Sequence, residues 1–431
     1  MDVKELELQL DDFDRARRQE ALAMLWQAAL RGEITLPARS GSVNLHAHTF
    51  FSYNAYGYSP SKFAWLARKA GLLAAGIVDF DVLDGVDEFL EAGELIGLRT
   101  CASIESRVYV PEFATLVINS PGEPGVAYHM GVGFPRATTH PFLSKMRSAA
   151  QTRTRGMIKR VNRFLDPVRI DFDRDVAPLS PNGNVTERHL CEAYERQAIA
   201  VFADPARRAK FWKERLGDAP DDSAKLRALI RAKTMKKGGV GYVAPDKGSF
   251  PEIAQMNRFV IEAGAIPTIA WLDGLSDGER RMDEYIDTAM ASGAAALNVI
   301  PDCNYTPGSP SDKAKNLHGV VSLAERRGFP VVAGTEMNTY GQKFVDSFDS
   351  TDLKPLAPTF ARSAYIVYAH TVLRRELGVG YLGQWAEANF TSVATKNDFF
   401  FAVGRALQPG KDMLVGADAD ASPRQLLNML G

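Results

Sequence analysis

The chain has 431 residues, of which 45% are hydrophobic, and its 51 basic and 52 acidic side chains nearly cancel. This length suffices for one large domain with an insertion or for two domains, and the balanced charge gives no strong sign of a nucleic-acid polymer or an anionic membrane as partner. No apolar run has the length of a membrane span, and the charged N-terminus lacks the pattern of a secretory or transit signal. Three widely spaced cysteines argue against a disulfide framework and a thiolate zinc site, so we expect a cytoplasmic protein.

The order of elements predicts an α/β fold. Residues 1–40 show helical patterning, and short apolar runs then alternate with helical stretches. Seven such runs are expected to be strands, at residues 43–49, 74–81, 99–110, 126–134, 265–272, 294–301 and 330–337. This rhythm favours a mainly parallel sheet of seven strands, as in a parallel α/β barrel.

Between the fourth and fifth runs the rhythm stops for more than a hundred residues. We predict a helical insertion over the barrel at 135–247, which leaves 41–134 and 248–341 for the barrel itself. The insertion is basic, which fits either solvated helix faces or an anionic substrate. Residues 342–431 are expected to form a helical extension that packs on the barrel.

Polar side chains recur where the predicted strands end. The carboxyl ends of the strands of a parallel α/β barrel meet at one mouth, so these residues are candidates for a common site. They are His46, His48, Asp79, Asp81, Glu105, His129 and Glu336.

His46 and His48 are two positions apart in a strand, so both imidazoles point to the same face and are spaced to hold one ion. Glu105, from another strand, has two carboxylate oxygens with which to bridge cations. Imidazole with carboxylate suits zinc, manganese or iron. The structural alternatives are two hydrogen-bonded histidines at a strand end and a salt bridge from Glu105 to Arg107 or a neighbour.

The remaining candidates also have structural alternatives. His129 fits a core histidine with a hydrogen-bonded ring, and Glu336 fits a cap for the turn before Asn338. Asp79 and Asp81 fit a hydrogen-bonded strand terminus.

Several segments resemble, in order, the motifs of the polymerase and histidinol phosphatase (PHP) superfamily. They are NLHAHTFFSYN, GIVDFDVLDGV, ASIESRVYV, VAYHMGVGF, TIAWLDG and AGTEMN. GNVTERHLCEAY and the stretch from GGVGYVAPDKGSF to IPTIAW look like the branch that removes phosphate from nucleotides and short oligonucleotides. The likeness covers about residues 43–341 and implies a distorted (β/α)7 TIM-like barrel of PHP type, with which the seven expected strands agree, and up to three metal ions.

The resemblance implies one complete metal site, formed by His46, His48, the bridging Glu105 and Glu336. A second ion would share Glu105 and take His129, but Trp271 stands where the family has a further histidine, and an indole cannot ligate.

A third ion would need ligands at three positions where this chain departs from the family, Asn54, Phe80 and Asn338. The resemblance therefore implies a divalent-metal centre with one ion, a second in question and no third.

The function that the resemblance implies for these residues is hydrolysis of a phosphomonoester or nucleotide by metal-activated water. Asp79, Asp81 and Glu105 are the expected catalytic residues, and either aspartate is a candidate proton acceptor. The expected contacts to a small anionic substrate are Arg107, Arg188, His189 and Lys247. The alternative is a catalytically weak or inactive protein that binds a ligand or partner in a pocket lined by Phe80 and Trp271.

Overall fold

The computed structural model describes residues 2–245, 248–305 and 311–431. The chain forms two compact units. The first comprises Met1–Thr49, Asn54–Thr138 and Phe250–Gly431, and the second comprises Phe50–Tyr53 and Thr139–Ser249.

The first unit contains a seven-stranded sheet whose strands follow one another in chain order. The strands are β1 (Val43–Ala47), β2 (Ala74–Phe80), β3 (Arg99–Tyr109), β4 (Val126–Val132), β5 (Ile266–Trp271), β6 (Ala296–Val299) and β7 (Val331–Ala333). Each lies within one of the apolar runs that predicted it. The mixed α/β architecture and the seven strands are therefore confirmed.

One strand departs from the expected parallel arrangement. β4 is antiparallel to both β3 and β5, whereas the other four neighbouring pairs are parallel. The connection from β3 to β4 contains only a short 3-10 turn, Pro111–Phe113, and no crossover helix of the kind that parallel neighbours need. As a result, the carboxyl end of β4 lies at the opposite end of the sheet from those of its neighbours.

The sheet curls until its first and last strands nearly close a barrel. Ala47 forms a bridge with Glu336, His48 N donates to Glu336 O at 2.8 Å, and Glu336 N donates to His46 O at 2.7 Å. Gly334 permits this approach, because a Cβ there would lie only 2.3 Å from His46 N.

Four helices of the first unit lie before residue 139, where the larger part of the second unit begins. They are α1 (Val3–Gln9), α2 (Arg15–Leu30), α3 (Pro60–Lys69) and α4 (Val86–Ile96). The Ser59 side chain accepts from Lys62 N and Pro60 occupies the first turn of α3, both typical signals for a helix start. Gly97 ends α4 in the left-handed conformation, at φ 68°.

The second unit is helical and has its own core. Its helices are α5 (Pro141–Phe164), α6 (Glu187–Val201), α7 (Pro205–Leu216) and α8 (Ser223–Thr234), with a π-helical turn at Phe172–Val176 and a 3-10 turn at Ala177–Leu179. Buried apolar side chains from these elements form one cluster, which includes Leu190, Tyr194, Trp212 and Ile230.

In the rest of the first unit, helices alternate with β5–β7, and further helices follow β7. These are α9 (Ile253–Glu262), α10 (Met282–Ala291), α11 (Asp302–Tyr305), α12 (Ser311–Arg326), α13 (Ala357–Leu377), α14 (Gln384–Asn389), α15 (Val393–Ala406) and α16 (Pro423–Leu430), with a 3-10 turn at Glu279–Arg281. α13 contacts β1, β3 and β7. Among the described residues, no helix is long and apolar enough to cross a membrane.

Candidate metal centre

Three predicted ligands converge inside the barrel. His46 and His48 come from β1 and Glu105 comes from β3, and one ligand atom of each lies within 4.8 Å of the other two. The Glu105 Oε2 atom lies 3.5 Å from His46 Nε2 and 3.2 Å from His48 Nε2. All three side chains are at least 95% buried, so the cluster is shielded from bulk water.

Asn298 of β6 sets the orientation of the His46 ring. Its Nδ2 donates to the Val332 carbonyl at 3.2 Å, so its Oδ1 is the atom that faces His46 Nδ1, also at 3.2 Å. Because Oδ1 only accepts, Nδ1 must carry the proton. The Nε2 atom of a neutral His46 then presents its lone pair towards Glu105.

The cluster is electrostatically suited to a cation. Burial alone would raise the pKa of Glu105, but the two histidines lower it to about 2. Burial alone would lower the pKa of His46, but the carboxylates of Glu105 and Glu336 raise it above its ordinary value. Within the described residues, His46 Nε2 and Glu105 Oε2 make no hydrogen bond of good geometry. The residues present therefore fit a divalent ion, which would take the place of a proton between the lone pairs.

Glu336, the fourth ligand implied by the resemblance, adjoins the cluster through its backbone. Its Oε2 accepts from Asn338 Nδ2 at 3.1 Å and from Gln342 Nε2 at 3.4 Å. Among the described residues, the converging group contains only His46, His48 and Glu105. The structure thus brings Glu336 beside the cluster, with its carboxylate held by two amides.

The aromatic residue Phe80 lies at the cluster. Its ring stacks on His48 with centroids 4.4 Å apart and an interplanar angle of 27°. Trp271 belongs to the other face of the sheet, because its neighbour Ala270 pairs with the inward-facing Asn298. Of the two aromatic residues expected to line a pocket, Phe80 therefore lies beside the cluster, whereas Trp271 lies on the opposite face of the sheet.

Strained backbone is concentrated at this end of the barrel. Asp81, Glu336 and Met337 have φ angles of 58°, 63° and 57°, a region that residues other than glycine seldom adopt. Asp81 follows β2 directly, and the other two follow β7. Such strain persists where the surrounding structure enforces it and often marks a functional site.

His129 does not join the cluster. It pairs in register with Ser106, whose side chain lies on the opposite face of β3 from that of Glu105. Its Nε2 lies 2.6 Å from the Asn257 Oδ1 atom of α9, and burial lowers its pKa to about 4. The structure separates His129 from the inner ligands, because a shift of one position along a strand changes the face.

Asp79 and Asp81 both make hydrogen bonds at the end of β2. The Asp79 carboxylate accepts from Thr49 N at 2.9 Å and from Thr49 Oγ1 at 2.6 Å, which fixes the residue after His48. Asp81 Oδ1 accepts from Ser106 Oγ at 2.7 Å. Asp79 is fully buried whereas Asp81 is half-buried, so water has more access to Asp81.

Arg107 lies on the same face of β3 as Glu105, two residues nearer the carboxyl end. Its Nη1 is 3.0 Å from Glu123 Oε2, and its guanidinium stacks on the Phe250 ring at 4.3 Å. Its side chain remains about one-third exposed. Arg107 is thus a cation held in place near the cluster.

The other predicted anion contacts belong to the second unit or lie outside the described residues. Arg188 stacks on the Tyr53 ring at 5.7 Å. His189 Nδ1 accepts from Thr186 N at 3.0 Å in the capping box of α6, and burial lowers its pKa to about 3. Lys247 lies outside the described residues.

One polar residue at the cluster, Asn298, and one buried carboxylate elsewhere in the first unit, Asp346, were not predicted from the sequence. Asn298 had a signal, since it is a single amide within the apolar run of β6. Asp346 had none; it is 4% exposed, and burial together with Asp302 raises its pKa to about 8. The nearby Lys343 forms an ion pair with Asp302 at 2.9 Å, so Asp346 shares its surroundings with a second carboxylate.

No protein-family model and no curated protein sequence matches this chain. One similar solved structure is an amidohydrolase from Chromobacterium violaceum with bound sulfate and no metal; it is 18% identical, with 70% of this chain and 88% of that chain covered and a TM-score of 0.49. Another, provisionally described as a metal-dependent phosphoesterase from Bifidobacterium adolescentis, is 20% identical, with 75% and 98% covered and a TM-score of 0.49. These similarities carry no functional assignment.

Proposed function

We propose that this chain is a metal-dependent hydrolase that acts on a phosphomonoester or nucleotide. The observation that carries the proposal is the convergence of His46, His48 and Glu105 inside the barrel, where His46 Nε2 faces the ionised Glu105 carboxylate at 3.5 Å. Such a pair repels unless a proton or a cation lies between the two atoms.

His46, His48 and Glu105 would hold a divalent ion of zinc, manganese or iron, with Glu336 as a neighbouring carboxylate. When bound, such an ion lowers the pKa of coordinated water towards ~7 and polarises the scissile group. Neither aspartate at the end of β2 is proposed as proton acceptor, because Asp81 accepts from Ser106, whose side chain lies on the face of β3 opposite Glu105, and Asp79 accepts two hydrogen bonds from Thr49.

An anionic substrate is supported by Arg107. Its guanidinium lies on the Glu105 face and is oriented by Glu123 and Phe250, which reduces the entropy lost when it contacts an anion. The motif resemblance to nucleotide phosphoesterases supports a phosphate ester in particular. The departures at Asn54, Phe80 and Asn338 remove positive charge that further ions would supply, which favours a phosphate ester less anionic than the substrates of a site with three ions.

The second candidate function is ligand binding without turnover. It is favoured by Phe80, which stacks on His48 where the resemblance implies a ligand of a further ion. In this alternative the aromatic ring and the buried cluster form one wall of a binding site.

Turnover separates the two functions. We would assay the purified chain, supplied in turn with zinc, manganese and iron, against a panel of phosphomonoesters and nucleotides. Glu105→Ala is compared with Glu112→Ala, which changes an exposed glutamate. A hydrolase requires turnover that Glu105→Ala abolishes and Glu112→Ala retains. Metal-loaded wild type that binds members of the panel and hydrolyses none contradicts the proposal and favours the binding function.

A further inference from the structure

We propose that Asn298 is a positioning residue of the metal centre, which holds His46 with its Nε2 lone pair towards Glu105. The inference rests on the proposed metal site and adds a residue outside the set of ligands. Asn298 is 1% exposed, so water does not compete for its hydrogen bonds.

The direction of both hydrogen bonds follows from the backbone. The Val332 carbonyl can only accept, which places the Asn298 amide nitrogen beside it and the amide oxygen beside His46. β6 pairs with β7 in register at these positions, Asn298 with Val332, so the two strands hold the amide in place. The imidazole proton is consequently fixed on Nδ1.

Loss of this acceptor would weaken ion binding. A buried Nδ1–H without a partner is costly, so the neutral ring would shift its proton to Nε2, where it bonds to Glu105. That proton occupies the position of the ion and has to be displaced before coordination. Removing the outer partner of a metal-binding histidine typically lowers metal affinity by about 10–100-fold.

The barrel contains a matched control. Asn257 and His129 are also a buried asparagine and histidine, joined at 2.6 Å. Asn257 Nδ2 donates to Ser292 Oγ at 2.7 Å, so its Oδ1 accepts from His129 Nε2. This pair lies on the outer face of the sheet, away from the cluster.

The test compares the Zn²⁺ affinity of the wild type with that of Asn298→Leu, Asn298→Asp and Asn257→Leu, by competition with a chromogenic chelator. Leucine keeps the size but removes the acceptor, whereas aspartate keeps the acceptor and, like leucine, loses the bond to Val332. We expect affinity about 10–100-fold lower in Asn298→Leu, within about threefold of wild type or tighter in Asn298→Asp, and unchanged in Asn257→Leu. Asn298→Ala replaces the leucine variant if that variant does not fold.

Equal affinity of wild type and Asn298→Leu would overturn the positioning role and leave the metal site intact. Equal losses in Asn298→Leu and Asn298→Asp would also overturn it, because they would show that only packing or the Val332 bond matters. A wild type that binds no Zn²⁺, Mn²⁺ or Fe²⁺ would overturn the proposed function, and the positioning role with it.

Discussion

The two buried histidine–asparagine pairs of the barrel sheet differ in chemistry. Inside the barrel, His46 donates from Nδ1 to Asn298 and turns Nε2 towards Glu105. Outside, His129 uses Nε2 for Asn257, and burial lowers its pKa to about 4. The carboxylates that raise the pKa of His46 have no counterpart among the causes acting on His129. Burial and a hydrogen-bonded ring therefore do not make a ligand; the face of the strand and a facing carboxylate do.

The largest expected effect distinguishes His48, on the inner face of the barrel sheet, from His129, on its outer face. His48→Ala should lower Zn²⁺ affinity by at least about 100-fold, since a ligand matters more than its outer partner. His129→Ala should leave the affinity unchanged and lower the free energy of unfolding by about 1–3 kcal/mol, because Asn257 loses a buried partner. Metal titration and urea unfolding of both variants check this, and weaker binding in His129→Ala would contradict the separation.

Acidity should weaken ion binding at the inner cluster. The ion requires neutral His46, whose pKa is raised, so protons compete increasingly as the pH falls through and below that pKa. Below the pKa of His46, each proton that the ion displaces lowers the affinity about tenfold for every unit by which the pH falls. Glu105, whose pKa the two histidines hold below its ordinary value, stays ionised over this range. Zn²⁺ affinity measured from pH 8 to pH 5 should therefore fall, and a flat profile would show that no proton is displaced.

Closure of the barrel next to His46 depends on Gly334. A Cβ at this position would also lie 2.6 Å from Asn44 Oδ1, so Gly334→Ala should lower the free energy of unfolding by about 1–3 kcal/mol and weaken ion binding. Gly319→Ala is the control. Gly319 lies in α12 with open space around it, and alanine there should stabilise by up to about 1 kcal/mol. Equal stability of the two variants in urea unfolding would contradict the close contact.

The smallest expected effect concerns Asp346. Its pKa in the folded chain is about 8 against an ordinary value of 3.8, so the unfolded chain loses its proton first and stability falls as the pH rises between these values. Asp346→Asn should thus raise the free energy of unfolding by about 1 kcal/mol or more at pH 8 and by little at pH 4. Asp349→Asn, at an exposed position, should show no such difference. Urea unfolding at both pH values decides this.

The sequence predicted the strands and the core of the site for a physical reason. Apolar runs with regular spacing define β1–β7, and the two-residue spacing of His46 and His48 places both on one face whatever the surroundings. Glu105 was expected beside them because the carboxyl ends of parallel strands meet at one mouth, and β3 is parallel to its neighbour β2.

The direction of β4 and the role of Asn298 could not be predicted in this way. The face that His129 presents depends on the antiparallel pairing of β4 with both neighbours, which is a tertiary property. Asn298 gains its role from a histidine 252 positions away, and the pKa of Asp346 depends on burial by other segments. Long-range packing decides each of these.

Metal content tests the central claim most directly. Wild type and His46→Ala are purified without added metal and without a polyhistidine tag, and both are analysed by inductively coupled plasma mass spectrometry. The account predicts about one equivalent of zinc, manganese or iron in the wild type and none in His46→Ala. No bound metal in the wild type, or equal content in both, would contradict the metal centre at His46, His48 and Glu105.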